Sequence, residues 1–245
     1  MSFFIFSLTL RQLLGRKSTL LLVGLASLAV LLAVVFRISE PDIDAQRWTA
    51  RVLFRGLVVT AVLPLTALLL GTSVIGDELE DGTAVYLLTK PLARWQILLP
   101  KLAAAWLVTS ALVVPAVVFS GLIALEGGGG ASIITGFAVA TLVGAFAYVT
   151  VFVLFSVVTS RALIAGLVYV FIWEGAVTAL FTGTRYLSIR HYTLGLARWI
   201  ADTDSYTFEA TVSGTTALVM FAIVTVAAGF YANRRLQQLE VREAS

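Results

Sequence analysis

Four acids in five residues, Asp77, Glu78, Glu80 and Asp81, stand just before Gly82 and Thr83 and are the densest chemistry-bearing group in the chain. Carboxylates so spaced can hold a divalent cation against a pyrophosphate, as a membrane-embedded metal-dependent transferase would require. Such an enzyme needs a second acidic half, and no acid occurs between Asp81 and Glu126. With no Cys and one His, thiolate chemistry and a His-rich metal site are excluded. One further acid, Glu174, lies inside the apolar run "LVYVFIWEGAVTALF", where a carboxylate is a candidate substrate contact, gate or proton carrier. Neither catalytic residues nor a bound metal are expected, so the acidic cluster needs another explanation.

The elements around it supply one. The chain has 245 residues, 59% of them hydrophobic and 13% charged, with a mean hydropathy of +0.97. Soluble domains carry about 25% charged residues, so this is an all-α integral membrane protein forming one domain over residues 1–245. Six segments are apolar enough to span: Ser18–Phe36, Leu57–Ile75, Leu102–Leu125, Ile133–Val158, Ala162–Thr182 and Gly214–Ala232. Residues 1–17 are expected to lie along the interface as a helix leading into the first span. The stretch "RISEPDIDAQRWTARVLFR" is expected to form a short interfacial helix before the second span. Residues 183–213 form an aromatic-rich outward segment, with Leu194, Leu196, Trp199 and Ile200 on the membrane surface or over a cavity.

Six spans put both termini on one side. Ten of the 17 Lys and Arg residues fall on that side, which makes it cytoplasmic by the positive-inside rule. The net charge of +3 and the position of the basic residues near span ends read as topology signals, not as a nucleic-acid footprint. Arg234, Arg235 and Arg242 fit the same role beside membrane lipid.

The acidic cluster therefore opens a cytoplasmic hairpin, residues 76–101, between the second and third spans. "DELEDGTAVYLL" has the makings of a short helix with acids in its first turn and Ala84, Val85, Leu87 and Leu88 as an apolar face. Lys90 and Pro91 end it, and a second helix begins near Leu92. A short amphipathic helix held between two spans can seat in a groove of a soluble partner.

At residue level this hairpin resembles that of type-2 ABC transporter permeases. The shared pattern is E-x-E-x-G-T, an apolar stretch with L-L, then P, R and K. Glu78, Glu80, Gly82, Thr83, Leu87, Leu88, Pro91, Arg94 and Lys101 match it. The layout also matches: an interfacial N-terminal helix, six spans and a long outward segment between the fifth and sixth. The chain is similar to the small permeases that lack a large extracellular domain, among them the group associated with multicopper-enzyme maturation. Pro100 stands where that pattern more usually has a small residue.

The resemblance implies that the chain is the membrane subunit of an ATP-driven transporter, an exporter in a bacterial inner membrane. It implies a homodimer, or pairing with a similar subunit, that binds two copies of a separate ABC ATPase. In it the matched residues form the coupling helix, and substrate passes at the dimer interface. ATP and Mg would be held by the partner, and no cofactor by this chain. The sequence agrees on one point. No stretch fits the P-loop G-x-x-x-x-G-K-[ST]: in "LLGRKST", Arg16 separates Gly15 from Lys17 and Leu10 stands where a Gly is needed.

Inside the spans, Gly166, Val170, Glu174 and Thr178 are spaced by four and share a helix face. Glu174 and Thr178 are the candidate substrate-path or gate residues. Glu174 could instead lock helices together, or carry protons in a proton-coupled secondary transporter. Gly136, Ala140 and Gly144 repeat at four residues and mark a helix-packing face. Pro64 and Pro115 are expected to shape the second and third spans.

Overall fold

The computed structural model describes residues 2–39, 42–80, 93–125, 130–202 and 208–243. Among the described residues the chain is helical without strands, and six helices are long and apolar enough to cross a membrane. They are span 1 (Lys17–Ser39), span 2 (Ala45–Gly76), span 3 (Trp95–Ala124), span 4 (Ala131–Val158), span 5 (Ala162–Leu180) and span 6 (Gly214–Gln238). An N-terminal helix, Ser2–Leu14, precedes them and packs against spans 2 and 3.

Span 2 starts at Ala45, not at Leu57, because Arg47, Arg51 and Arg55 hide the helix from an apolar window. Asp44 caps it, its Oδ1 accepting from the N–H groups of Gln46 at 2.9 Å and Arg47 at 3.3 Å. No Gly or Pro interrupts the chain from there to Gly56, so the expected separate interfacial helix is the first part of span 2. The end of span 1 is tied to this start by a Phe36–Trp48 stack with centroids 3.9 Å apart.

Among the described residues of the spans, two stretches depart from α geometry. Thr49–Val62 in span 2 and Tyr169–Val177 in span 5 are wound as π-helix, in which backbone bonds run five residues instead of four. The first reverts to α geometry over Leu63–Glu80, at Pro64, where the missing N–H interrupts the ladder. The second explains how Gly166, Val170, Glu174 and Thr178 all stay buried. In a pure α-helix of 3.6 residues per turn, each four-residue step would rotate the face by about 40°.

Span 4 is the hub, packed against spans 2, 3 and 6 and against a further helix, Ile189–Ala201, in the connection between spans 5 and 6. That loop helix is not a membrane-surface connector. Leu194 and Leu196 are each 2% exposed, and of the four residues expected at a surface only Trp199 is well exposed. The small-residue face of span 4 is its seat. A Cβ on Gly136 would stand 2.6 Å from the Ala197 carbonyl oxygen, and one on Gly144 2.7 Å from Thr193 Oγ1. The stripe read as a packing face is therefore a slot for a helix that the sequence placed outside the bundle. Ser188 caps the loop helix by accepting from the His191 N–H at 3.4 Å. Asp202, with φ 46° in the left-handed region, ends it.

Candidate functional site

The hairpin is the first place where sequence and structure meet. Asp77, Glu78 and Glu80 lie on the last turns of the Leu63–Glu80 helix. Within the described residues these acids are continuous with the helix of span 2. Gly82, Thr83, Leu87, Leu88 and Pro91 lie outside the described residues.

The return of the hairpin is visible. Span 3 begins at Trp95 with Arg94 as its N-cap residue, slightly later than the expected start near Leu92. Arg94 and Lys101 are 6% and 2% exposed, so both are buried among the helices and neither rests at a lipid surface. Lys101 Nζ donates to the Val74 carbonyl oxygen at 2.9 Å. This bond ties the second turn of span 3 to span 2 one turn before the acidic cluster. Beside Gly76 a groove of about 630 Å³ runs past Thr72, Ser73, Ser156, Arg161 and Arg235, which places the turn between spans 4 and 5 at the hairpin's end of the bundle.

The second place is Glu174, at the opposite end of span 5. It is 2% exposed and its carboxylate meets four donors. Oε2 accepts from the Tyr148 hydroxyl on span 4. Oε1 accepts at 3.2 Å from each of the Tyr169 hydroxyl, the Ser188 hydroxyl and the Arg190 backbone N–H. Oε1 thus gathers three donors and Oε2 one. Ser188 and Arg190 belong to the first turn of the loop helix, so the carboxylate also sits at the positive end of that helix dipole.

The arrangement is reciprocal. Arg190 Nη1 reaches back to the Glu174 carbonyl oxygen at 3.3 Å, and Arg185 Nε donates to the Thr178 carbonyl oxygen at 3.2 Å. Two cations thus cap the C-terminal carbonyls of span 5 while its one acid caps the next helix. Thr178 Oγ1 donates to the Glu174 carbonyl oxygen at 2.6 Å, so the two candidate gate residues touch through backbone. Chemically this is a latch joining spans 4 and 5 to the loop helix. The sequence shows the acid but not its partners, because Tyr148 and Arg190 are ordinary residues until the chain brings them together.

Around the latch the field is positive. The His191 imidazole, 3.1 Å from Ser188 Oγ, has its pKa lowered to about 4, first by burial and then by Arg190, Arg185 and Arg55. The Tyr192 hydroxyl is pushed upward by burial and by the Glu174 charge. Next to it, Arg51, Arg55, Gly56, Thr60, Arg190 and Glu209 line a cavity of about 280 Å³. Three of these had signalled only topology. Nothing in the sequence suggests that Arg190 joins Arg51 and Arg55. Among the described residues no three His, Asp or Glu side chains gather as metal ligands.

A comparison with protein families matches residues 14–177 to a model described as ABC-2 family transporter protein. A comparison with curated proteins found no match.

Proposed function

The chain belongs to the ABC-2 transporter family, and on that premise we propose that it is the permease subunit of an exporter whose ATPase is a separate polypeptide. Membership makes it a multi-pass membrane permease and not an enzyme, and implies an ABC ATPase as partner in general terms. In the fuller reading two permease copies, a homodimer, engage two ATPase copies that hold the ATP and Mg. The termini and the 76–101 hairpin face the cytoplasm of a bacterial cell, and the 183–213 segment faces outward. The metal-dependent transferase and the proton-coupled transporter draw no support from the family match.

The coupling element in this reading is the hairpin. Glu78, Glu80, Gly82 and Thr83 shape it, Leu87 and Leu88 seat it on the ATPase, and Pro91 ends it. Arg94 and Lys101 fix its return. The observation that carries this assignment is the Lys101 bond to the Val74 carbonyl oxygen at 2.9 Å. With both hairpin stems joined near their roots, a push on the hairpin moves spans 2 and 3 as one body instead of spreading them. Glu174 and Thr178 then act as the gate. The latch between span 5 and the loop helix holds the path shut until that movement strains it.

The test is a reconstituted complex of permease and ATPase carrying Glu78→Ala or Gly82→Pro. Both variants should insert and bind the ATPase, yet hydrolyse ATP without moving substrate. Normal transport in both would remove the assignment.

A further inference from the structure

We propose that span 5 is a two-state switch. The Glu174 latch holds its Tyr169–Val177 stretch in π winding, and release rewinds that stretch as α-helix and turns the outer end of the span. The inference deepens the gate assigned to Glu174 and Thr178 and rests on that reading for its role in transport, while the winding is tested by itself.

Nothing in the sequence of span 5 demands the wide winding. A π-helix is rare and occurs mostly as a single turn, often at a functional site, yet this stretch runs for nine residues. In span 2 the comparable stretch gives way at Pro64, which has no N–H to give the ladder. Residues 162–180 contain no Pro. The cause in span 5 lies in what holds the stretch from outside.

Glu174 is where it is held. The Tyr169 hydroxyl donates to Glu174 Oε1 at 3.2 Å, a pair five residues apart. In an α-helix five residues turn by about 140° beyond a full circle, and the two side chains would face apart. The Thr178 N–H donates to the Trp173 carbonyl oxygen, five residues back. An α-helix would give that N–H to the Glu174 carbonyl oxygen. Here that oxygen instead takes the Thr178 hydroxyl at 2.6 Å and Arg190 Nη1 at 3.3 Å. The Ser188 hydroxyl and the Arg190 N–H, each 3.2 Å from Oε1, and the Tyr148 hydroxyl of span 4 fix the direction of the carboxylate. The loop helix thus grips both the side chain and the carbonyl of Glu174 in a register that α winding does not offer.

The size of the turn follows from the period. Val170, Glu174 and Thr178 are all buried. In α winding each four-residue step adds about 40° beyond a full circle, so Thr178 would leave the face of Val170 by about 80°. Val177 would replace it, because seven residues make almost two full α turns. Side chains end about 5–6 Å from a helix axis, so that turn carries a residue near the outer end through about 7 Å. The connection Thr182–Leu187, with Tyr186 and Leu187 exposed, absorbs the rotation.

The chain has no Cys, so spin labels attach only where one is introduced. Cys at Ser132 on span 4 and Leu180 on span 5, both exposed, give a pair whose separation is read by double electron–electron resonance in nanodiscs. Glu174→Ala and Arg190→Gln should shift that separation by several ångström, and Asp42→Ala should leave it unchanged. A single label at Val177 should become less accessible to lipid-dissolved oxygen in the same two variants, whereas mere loosening of the bundle would raise its accessibility. Should Glu174→Ala not fold, Tyr148→Phe combined with Arg190→Gln takes its place. An unchanged separation in the folded latch variants, or a Val177 label that grows no less accessible, overturns the switch. Transport by these variants reads the gate separately. A shifted separation with normal transport keeps the switch and removes the gate; altered transport without a shift overturns the switch and leaves the gate.

Discussion

Replacing Glu174 by Ala removes the acceptor shared by Tyr148, Tyr169, Ser188 and the Arg190 N–H. Three of these donors reach it from other elements. An interhelical hydrogen bond in a membrane protein is worth about 0.6 kcal/mol on average and about 1.7 at most, so the variant should lose about 2–5 kcal/mol. For a chain of this size 1 kcal/mol corresponds to about 2–4 °C, and the lower bound already predicts a melting temperature about 4–8 °C down. Size-exclusion chromatography of heated detergent samples, followed by tryptophan fluorescence, reads this directly. Asp42→Ala, which removes an exposed carboxylate, should melt with the parent. Tyr148→Phe should lose about 0.6–1.7 kcal/mol alone and little more when Glu174 is already Ala, since the two losses share one bond. A Glu174→Ala protein that melts with the parent would refute the latch. So would a Tyr148→Phe loss undiminished in the double variant.

Three other outcomes follow from the same geometry. Gly136→Val drives a Cβ to 2.6 Å from the Ala197 carbonyl oxygen. It should destabilise by about 1–3 kcal/mol, seen as a lower melting temperature, whereas Gly24→Val, with open space around it, should not. His191 is held at about 4 against an ordinary 6.5, so between those values the unfolded chain takes up a proton that the folded chain refuses. Stability should fall as the pH falls from 6.5 towards 4, and the fall should be shallower in His191→Gln when melting is compared at pH 7.5 and 4.5. Lys101→Met cuts the tie to the Val74 carbonyl oxygen. It should leave ATPase binding intact while more ATP is hydrolysed per substrate moved in proteoliposomes.

The spans were legible because the bilayer demands long apolar runs, and nothing else in a chain reads that way. Their ends were less so. Charges at Arg47, Arg51 and Arg55 disguised the first part of span 2, and the acids at 77–80 looked like the start of a separate helix although they continue the one before. The loop helix shows the larger difficulty. Its Leu and Trp residues have the composition of an interfacial segment, and only the slot left by Gly136 and Gly144 on span 4 shows that it is buried. Glu174 stood out because a carboxylate in an apolar run is costly. Its partners did not, because Tyr148, Ser188 and Arg190 are common residues whose meaning lies in proximity. The π winding, which decides what faces the arginine cavity, leaves no periodicity strong enough to see.

The central claim is that this chain works by seating its 76–101 hairpin on a separate ATPase. The most direct test is to isolate the tagged chain from native membranes in mild detergent and identify the co-purifying proteins, with and without Leu87→Asp and Leu88→Asp. The account predicts a stoichiometric ABC ATPase with the native chain and its loss from the double variant, which remains inserted. An ATPase that is absent from both, or that binds the double variant as well as the native chain, would contradict it.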